Sequence, residues 1–512
     1  MNRWLTVATA LGFLAWSAVF QHRATFLAVD RNRYASLFDD ALISMRYAWN
    51  LAHGNGLVWN TGDRVEGYSN FLTTLLMAIP SVLFDARRAA LAVQLFGIAT
   101  VLGVGLLCVR LARSVRRSER RSESTGHDAI VLAAAISFYP LSYWSVTGME
   151  TGLLTLLFLG ALVAVDRWAE HQDRGSLVLA SILAGLLTWV RPDAVVFALL
   201  IPALAAFQES PSRRGPNIRV GLALVVVVLI FPLAQLLFRV SYYGHAFPNT
   251  YVLKIEGFPI LDRIRNGIGY FGHQAAGVLA LLAAVAMGVW KGRSRIRLVA
   301  GASLLVAVLF QTWAGGDAWP YWRMVAPALP LILALAASDL WGARRKPVAL
   351  AALVALWLLL NGAFLPEIRF QRRPYQWESN VQNVNTALAL RAVTEPSATV
   401  GVFWAGAIPF YSERPALDFL GKSDPVIARR APDLSGAISW SGMRSVPGHN
   451  KYDLGYSIRR LRPTYVQGLA WGREDFTEWG RSAYDSVLVG SVGLRLRHGD
   501  PRVHWERTSA AP

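Results

Sequence analysis

The sequence has little cysteine and little charge. Its single cysteine, Cys108, excludes an intramolecular disulfide, and its place inside an apolar run predicts that it packs there. Charged residues make up only 16% of the 512, hydrophobic residues make up 54%, and the mean hydropathy is +0.34. A chain this apolar is not an ordinary soluble domain. The sequence also lacks internal repeats, low-complexity linkers and the compact His/Cys spacings typical of metal sites.

Acidic residues are the scarcer of the two charges. The chain has 33 Asp and Glu against 51 Lys and Arg, a formal net charge of +18. Such an excess can indicate a nucleic-acid partner, but here the arginines cluster in short gaps between apolar runs, where they orient membrane spans. The sequence therefore predicts a polytopic protein of the lipid bilayer with no nucleic-acid partner.

Eleven apolar runs predict membrane spans. Arg3 precedes the first run, which we interpret as an uncleaved span with a cytoplasmic N-terminus. Residues 69–84 are excluded, because they contain Pro80 and would place the arginine-rich loop 110–121 outside; we expect an interfacial or half-inserted helix there. The runs fall near residues 5–20, 89–109, 129–147, 149–166, 176–190, 194–207, 220–240, 274–290, 298–314, 324–341 and 347–365.

This topology gives the two sides of the membrane different chemistry. The cytoplasmic loops are short and basic, whereas the loops rich in functional side chains lie outside. The tail from Pro366 also lies outside and is long enough for one soluble domain. Its segments 398–403 and 464–467 favour strands and 380–393 favours a helix, which predicts an α/β or α+β module. We therefore expect an all-α transmembrane domain at 1–365, with external juxtamembrane helices, and an extracytoplasmic domain at 366–512.

Two adjacent carboxylates, Asp39 and Asp40, stand just outside the first span. They lead a helix expected from about Ala41 to His53, which stops at Gly54. Capping explains one of them, since Asp is a favoured N-cap. Placing two carboxylates next to lipid costs free energy, so their presence favours a catalytic acid–base site. Both roles can hold together, and Asp40, nearer the capped turn, is the less favoured base.

Other polar side chains outside the membrane have a structural interpretation beside a functional one. Glu66 fits either, and Arg191 at the outer end of a span could simply extend to the interface. Asp317 and Arg323 bracket aromatic residues that suit an interfacial belt, but also a sugar and an anionic phosphate. The tryptophans of the tail are expected in its core rather than as sugar platforms. They are Trp377, Trp404, Trp440, Trp471, Trp479 and Trp505.

These motifs occur in a characteristic order along nearly the whole chain. They are Asp39–Tyr47, Gly54–Asn60, Val65–Tyr68, Thr147–Thr151, Arg191–Asp193, Tyr243–Tyr251, Gly315–Asp317 and Pro447–Asp453. With this order and their common sidedness, the chain resembles the GT-C superfamily of polyprenyl-phosphate-sugar-dependent glycosyltransferases. Within it, the likeness is strongest to the terminal β-(1→2)-arabinofuranosyltransferase family of bacterial cell-wall enzymes.

The resemblance implies a fold of the GT-C type and an inverting transfer in the bacterial cytoplasmic membrane. Its members carry a catalytic Asp in the first external loop, the place of Asp39 and Asp40 here. The donor would be a sugar, such as arabinofuranose, on a polyprenyl phosphate, and the acceptor an extracytoplasmic cell-envelope glycan. A carboxylate can accept the proton of the acceptor hydroxyl. The leaving phosphate needs a positive charge near it but no general acid.

The resemblance also suggests which other residues meet the substrates. The external cations available to the donor phosphate are Arg323, the first choice, and Lys254, Arg191 and Arg46. Substrate contacts are expected from Glu66, Tyr68, Asn249, Asp317 and His449. No cofactor is required by the pattern. Some superfamily members use a divalent metal, for which Asp39, Asp40 and Asp317 could supply oxygen ligands, although their spacing does not demand it.

Two other classes of protein are compatible with a polytopic chain. A transporter or flippase of lipid-linked sugars should place ionisable residues near mid-membrane and often has paired halves, and neither is visible in the sequence. A non-catalytic scaffold with an external binding domain is disfavoured because the acid pair lies in the membrane-proximal loop rather than in the tail.

Overall fold

The computed structural model describes residues 2–120, 125–207, 216–273, 294–342, 346–436 and 445–511, and helices dominate it. The helices are α1 Asn2–Ala24, α2 Asp39–Ala52, α3 Phe71–Leu83, α4 Ala86–Ser118, α5 His127–Ile136, α6 Tyr139–Val146, α7 Thr151–His171, α8 Arg174–Val190, α9 Val195–Ala198, α10 Leu200–Phe207, α11 Ile218–Tyr243, α12 Asn249–Ile255, α13 Ile260–His273, α14 Arg295–Ala314, α15 Leu329–Trp341, α16 Lys346–Asn361, α17 Leu365–Ile368, α18 Trp377–Val393, α19 Ala407–Ser412, α20 Pro425–Ala428 and α21 Thr477–Ala483.

Within the described ranges, six helices are long and apolar enough to cross a membrane. They are Arg3–Ala24, Ala86–Ser118, Thr151–His171, Ile218–Tyr243, Arg295–Ala314 and Pro347–Ile368. The pair α5 and α6, bent by 59°, could form a seventh span. The prediction of a multi-pass membrane protein is confirmed, since each of the six matches a predicted run.

Other predicted spans are shorter or bent in the part of the chain that the structure describes. Three of them are shorter apolar helices, Arg174–Val190, Pro192–Phe207 and Ala326–Trp341, and the run 274–290 lies outside the described residues. The total of eleven therefore stays a prediction. The excluded run at 69–84 forms α3, whose 13 residues span only about 20 Å, less than the hydrocarbon core of a bilayer.

The chain divides into two compact units, and the first contains most of the apolar helices. It comprises residues 1–22, 95–237 and 267–373. Its most buried charge is the Arg297 guanidinium of α14, which donates at 2.8 Å to Glu119, just beyond α4, and at 2.8 Å to Asp339 of α15. A buried guanidinium is tolerated only when it is paired in this way. The two ion pairs therefore tie three helix ends together.

The second unit comprises residues 23–94, 238–266 and 374–512. A short antiparallel hairpin joins β1 Thr25–Leu27 to β2 Arg33–Ala35. The main sheet has six strands in the order β10-β8-β9-β5-β3-β4. Its strands are β3 Val400–Val402, β4 Ala416–Asp418, β5 Tyr465–Val466, β8 Tyr484–Val489, β9 Val492–Arg497 and β10 Ser509–Ala510, while β6 Ala470–Trp471 pairs with β7 Glu474–Asp475.

The sheet is mixed, as expected of an α/β or α+β module. The fully buried strand β3 pairs in parallel with β4 and β5, while β8 and β9 form an antiparallel hairpin. The predicted strands at 398–403 and 464–467 and the predicted helix at 380–393 correspond to β3, β5 and α18. The domain boundary between 365 and 366 stays a prediction; by contacts, the second unit takes in the tail from Pro374 together with two earlier segments of the chain.

Candidate functional site

The candidate site begins at the first turn of α2, in the second unit. The helix follows Phe38, which holds the N-cap position in an extended conformation, and Asp39 and Asp40 are its first two residues. Neither aspartate is therefore the N-cap. The helix ends before Gly54, whose φ of +79° lies in the left-handed region that stops helices, as the sequence predicted.

The Asp39 carboxylate is buried and already holds two backbone amides. Its Oδ2 accepts the N–H of Gly406 at 3.0 Å, and its Oδ1 accepts the N–H of Ala407 at 2.9 Å. Burial raises the pKa of Asp39 to about 6, with a further contribution from Asp40, although the two N–H groups and Lys422 oppose the shift. Asp39 therefore fixes the loop that precedes α19.

Asp40 forms an ion pair with a different partner. The Lys422 ammonium donates to Asp40 Oδ1, and the two side chains are 11% and 18% exposed, respectively. Burial disfavours the charged lysine, but Asp40, Asp39 and Asp418 together outweigh that effect and raise the pKa of Lys422. The adjacent aspartates thus have different environments, since one binds backbone amides and the other binds a cation.

Lys422 stands on a loop that is held from two directions. The Asp418 carboxylate accepts the N–H groups of Leu420 at 3.0 Å, Gly421 at 3.1 Å and Ser423 at 2.7 Å. From outside the loop, the Asn249 amide donates to the carbonyls of Gly421 at 2.8 Å and Lys422 at 3.0 Å. The ammonium is therefore presented by a preorganised loop, and Asn249, predicted to contact substrate, helps to hold this loop.

The Val65–Tyr68 motif packs against the same loop. A Cβ on Gly67 would collide with Ser423 Oγ and would lie 2.9 Å from the Lys422 carbonyl oxygen, so only glycine fits. Glu66 is 4% exposed and pairs with Arg239 at 2.5 and 3.1 Å, while its carbonyl accepts the N–H of Asn249 at 3.0 Å. The motif thus builds the wall behind Lys422.

Tyr68 completes this wall. Its hydroxyl lies 3.1 Å from the hydroxyl of Tyr243, which donates to the carbonyl of Leu57 at 2.7 Å. Burial, assisted by Tyr243 and Glu66, raises the pKa of Tyr68 well above its ordinary value, so its phenol stays protonated. Glu66 and Tyr68 were predicted to meet substrate, and both are buried in protein contacts.

His449 and Lys254 join the charged cluster. A Cβ on Gly448, whose φ is +86°, would lie 3.2 Å from Lys254 Cε, so the lysine stem passes beside the His449 backbone. Burial lowers the pKa of His449 to about 3, and the nearby charges of Lys422 and Lys254 add to the shift. The imidazole is therefore neutral at physiological pH, beside two cations and Asp40.

Arg46 is engaged in holding loops. Its guanidinium donates to the carbonyls of Trp59 at 2.5 Å and Arg414 at 2.8 Å, to the carbonyl of Pro409, and to Asn60 Oδ1 at 3.0 Å. Burial lowers its pKa to about 9. As placed, Arg46 joins the loop after α2 to the segment that contains α19, and contact with a donor phosphate would require it to give up these bonds.

The other predicted phosphate ligands lie in the first unit. Arg191 donates to Glu150 at 2.6 Å and to Asp193 at 2.9 Å, and Arg323 donates to Asp317 at 2.8 and 3.1 Å. Arg191 and Arg323 line one small pocket together with Glu150 and Asp193. The structure thus brings the 147–151, 191–193 and 315–323 motifs together, with each guanidinium already neutralised by a carboxylate.

No sequence motif indicated three residues of the site, namely Lys422, Asp418 and Arg239. One signal could have found Lys422, since Lys422 and Lys451 are the only lysines in a tail rich in arginine. Lys451 is also buried and donates to the carbonyls of Val252 at 2.9 Å and Ala428 at 2.7 Å.

The carboxylates of the site are not arranged to bind a divalent metal ion. Among the described residues, no group of three or more His, Cys, Asp or Glu side chains could hold a metal ion. Both oxygens of Asp39 accept backbone N–H groups, and Asp40 already binds an ammonium.

Comparison with known proteins shows similarity to bacterial arabinofuranosyltransferases. A family profile described as "Domain of unknown function (DUF8728)" matches residues 367–494. The terminal β-(1→2)-arabinofuranosyltransferase of Corynebacterium glutamicum is 24% identical over 390 residues, covering 68% of this chain and 54% of that protein. Its namesake from Mycobacterium tuberculosis is 29% identical over 265 residues, covering 50% of this chain and 38% of that protein. The chain thus spans about half, or less, of the length of these relatives.

The fold is similar to that of a solved oligosaccharyltransferase. The oligosaccharyltransferase of Archaeoglobus fulgidus, tethered to an acceptor peptide, aligns with a TM-score of 0.52 at 13% identity, covering 97% of this chain and 74% of that chain. The resemblance to the GT-C superfamily and to the arabinofuranosyltransferase family is thereby confirmed, and the fold is of the GT-C type.

Proposed function

We propose that this chain is a membrane glycosyltransferase that moves a sugar from a polyprenyl-phosphate donor to a glycan hydroxyl, with inversion at the anomeric carbon. The observation that carries the proposal is the pairing of Asp40 with Lys422 at the start of α2. Transfer needs both a base and a cation, because the acceptor hydroxyl loses a proton while the leaving phosphate carries negative charge.

In the proposed reaction, the acceptor hydroxyl attacks the anomeric carbon from the face opposite the leaving group. Asp40 accepts the hydroxyl proton as the new C–O bond forms. The bond between the anomeric carbon and the phosphate oxygen breaks, and its electron pair leaves with the polyprenyl phosphate. This phosphate is a stable anion, so no general acid is needed.

Lys422 is the first cation for the leaving phosphate in this proposal, and Lys254 is the second. Their location in the second unit with Asp40 supports that role. Burial is the main cause of the low pKa of His449, and the charges of the two lysines add to it. When the donor phosphate also binds the Lys422 ammonium, the negative charge of the Asp40 carboxylate loses part of its stabilisation. Asp40 is then a stronger base than in the absence of the donor. Arg323 and Arg191 belong to the first unit, where each is paired with a carboxylate, and the proposal assigns them no phosphate contact.

Asp39 has a positioning role in this account. Its two hydrogen bonds to Gly406 and Ala407 hold the α19 loop against the first turn of α2, from which Asp40 projects. A Cβ on Gly406 would collide with the Asp39 carbonyl oxygen, so the two segments are in direct contact. The order of preference given by the sequence, in which Asp39 leads as the base, is therefore reversed in the proposal.

The sugar and the sidedness follow from the relatives and the charge pattern. Both curated relatives are named terminal β-(1→2)-arabinofuranosyltransferases, which favours arabinofuranose as the sugar and a glycan end as the acceptor. The arginine bias of the short loops favours a site and a C-terminal domain outside the cytoplasmic membrane of a bacterium. A reporter fused after Pro512 should be active outside; activity only in the cytoplasm would reverse this orientation.

The proposed function is tested with purified protein and a panel of labelled polyprenyl-phosphate sugars. We expect release of polyprenyl phosphate from one donor, stimulated by a glycan acceptor, with the arabinofuranosyl donor the first to try. A transporter or flippase would leave every donor intact while moving it across a vesicle membrane. That outcome, or an absence of turnover with the whole panel and acceptor present, would overturn the proposal.

A further inference from the structure

Three aromatic rings adjoin the charged cluster without being used by the reaction described above. The ring of Trp404 lies 5.8 Å from that of His449 and 6.0 Å from that of Trp471, between centroids. The ring of His449 is stacked with that of Trp471 at 6.3 Å. Trp404 and Trp471 are partly exposed residues, whereas the His449 imidazole is buried, so the exposed part of this aromatic cluster is formed by the tryptophans.

The aromatic cluster is connected to each of the paired aspartates. Trp404 lies two residues before Gly406, whose N–H is held by Asp39. His449 lies close enough to Asp40 and Lys422 for their charges to act on its imidazole. These are two independent links, one through the backbone and one through space.

The two tryptophans differ in their surroundings. Trp471 is stacked on Phe403 at 4.8 Å and its indole N–H donates to the His449 carbonyl at 3.1 Å, so it supports the loop that bears the imidazole. The backbone N–H groups of Phe403 and Trp404 both donate to Gln467 Oε1, at 2.8 and 3.0 Å. The backbone at Trp404 is thus fixed by Gln467, and its position relative to α2 is fixed by Asp39.

We propose that Trp404 is the platform on which the acceptor sugar ring lies, next to the neutral His449. This inference rests on the proposed function and adds the acceptor subsite to it. The apolar C–H face of a sugar packs on an aromatic face, while its hydroxyl edge needs polar neighbours. A rigid indole beside the base would hold the attacking hydroxyl near Asp40. For Trp404, a sugar-binding role therefore replaces the expectation that the tryptophans of the tail lie in its core.

The test uses full-length protein and the variants Trp404→Ala and Trp404→Phe. Trp505→Ala is the matched control, because Trp505 is also partly exposed and its indole N–H bonds only within its own segment, to the Asp500 carbonyl at 3.1 Å. We expect Trp404→Ala to raise the acceptor KM about tenfold, with the donor KM and the thermal midpoint unchanged. Trp404→Phe, which keeps an aromatic face, should recover most of the loss, and Trp505→Ala should behave as wild type.

A binding measurement separates this inference from the proposed function. Saturation-transfer NMR with a short arabinofuranosyl oligosaccharide should show contact with wild type and Trp505→Ala but not with Trp404→Ala, whether or not a donor is turned over. An unchanged acceptor KM and an unchanged NMR signal in Trp404→Ala would overturn the platform while leaving the transfer reaction intact. A rise in the donor KM instead would assign Trp404 to the donor sugar and would equally overturn the acceptor subsite.

Discussion

The buried Asp39 should give this protein a pH-dependent stability of defined sign. Its pKa is about 6 in the folded chain, against an ordinary value of 3.8. Below pH 3.8 the carboxyl is protonated in both states, so its contribution to the free energy of unfolding is at its maximum. Between pH 3.8 and 6 the unfolded chain releases the proton and the folded chain retains it, so stability falls. Above pH 6 the loss is complete, at about 3 kcal/mol.

The perturbation that isolates this effect is Asp39→Asn. Asparagine does not titrate, so the difference in stability between wild type and variant should change by about 3 kcal/mol from pH 3.8 to pH 7, in the direction that disfavours wild type as pH rises. Thermal unfolding of both proteins in detergent across this range measures it. Asp262→Asn, at a half-exposed position in α13, controls for the loss of a carboxylate as such. A wild-type-minus-variant difference that is constant with pH, or that grows in favour of wild type, would refute the reasoning.

Three further predictions follow from single contacts. Lys422→Met removes the ammonium paired with Asp40 and should lower polyprenyl-phosphate release roughly 100-fold, measured with labelled donor; near-normal turnover would exclude it as the phosphate ligand. Glu66→Gln leaves the buried Arg239 charge uncompensated and should cost about 3 to 5 kcal/mol of stability, much of it recovered by also changing Arg239→Met; additive losses in thermal unfolding would contradict the coupling. Gly406→Ala forces a Cβ into the Asp39 carbonyl oxygen and should cost about 1 to 3 kcal/mol and reduce turnover, whereas a fully active, stable variant would show that the contact is dispensable.

The architecture could be predicted largely because hydrophobic length and loop charge are local properties of a sequence. The runs that form α1, α4, α7, α11 and α14 were each recognised from composition alone. The exact span count could not be predicted, since apolar runs such as 176–190 lie in helices shorter than the six full-length candidates.

The site was predicted only in part because its geometry depends on contacts distant in sequence. The Asp39–Asp40 pair is visible as a motif, but Lys422 lies 382 residues after Asp40 and carries no local signal of their pairing. The different roles of the two aspartates could not be predicted either. The contact of Asp39 with the Gly406 N–H depends on how the tail packs against α2. Likewise Glu66 looked available for substrate, and only its pairing with Arg239 shows that its charge is used within the protein.

Asp40 is tested as the base most directly by the rate of glycosyl transfer of Asp40→Asn, with the Asp39→Asn variant measured in parallel. Asparagine keeps the shape of Asp40 but cannot accept the hydroxyl proton, so we expect a normally folded protein whose transfer rate falls roughly 100-fold or more. Asp39→Asn should lose less activity, because it weakens the hold on the Gly406 and Ala407 amides without removing the base. Near-normal transfer by Asp40→Asn, with the donor and acceptor used for wild type, would contradict the account.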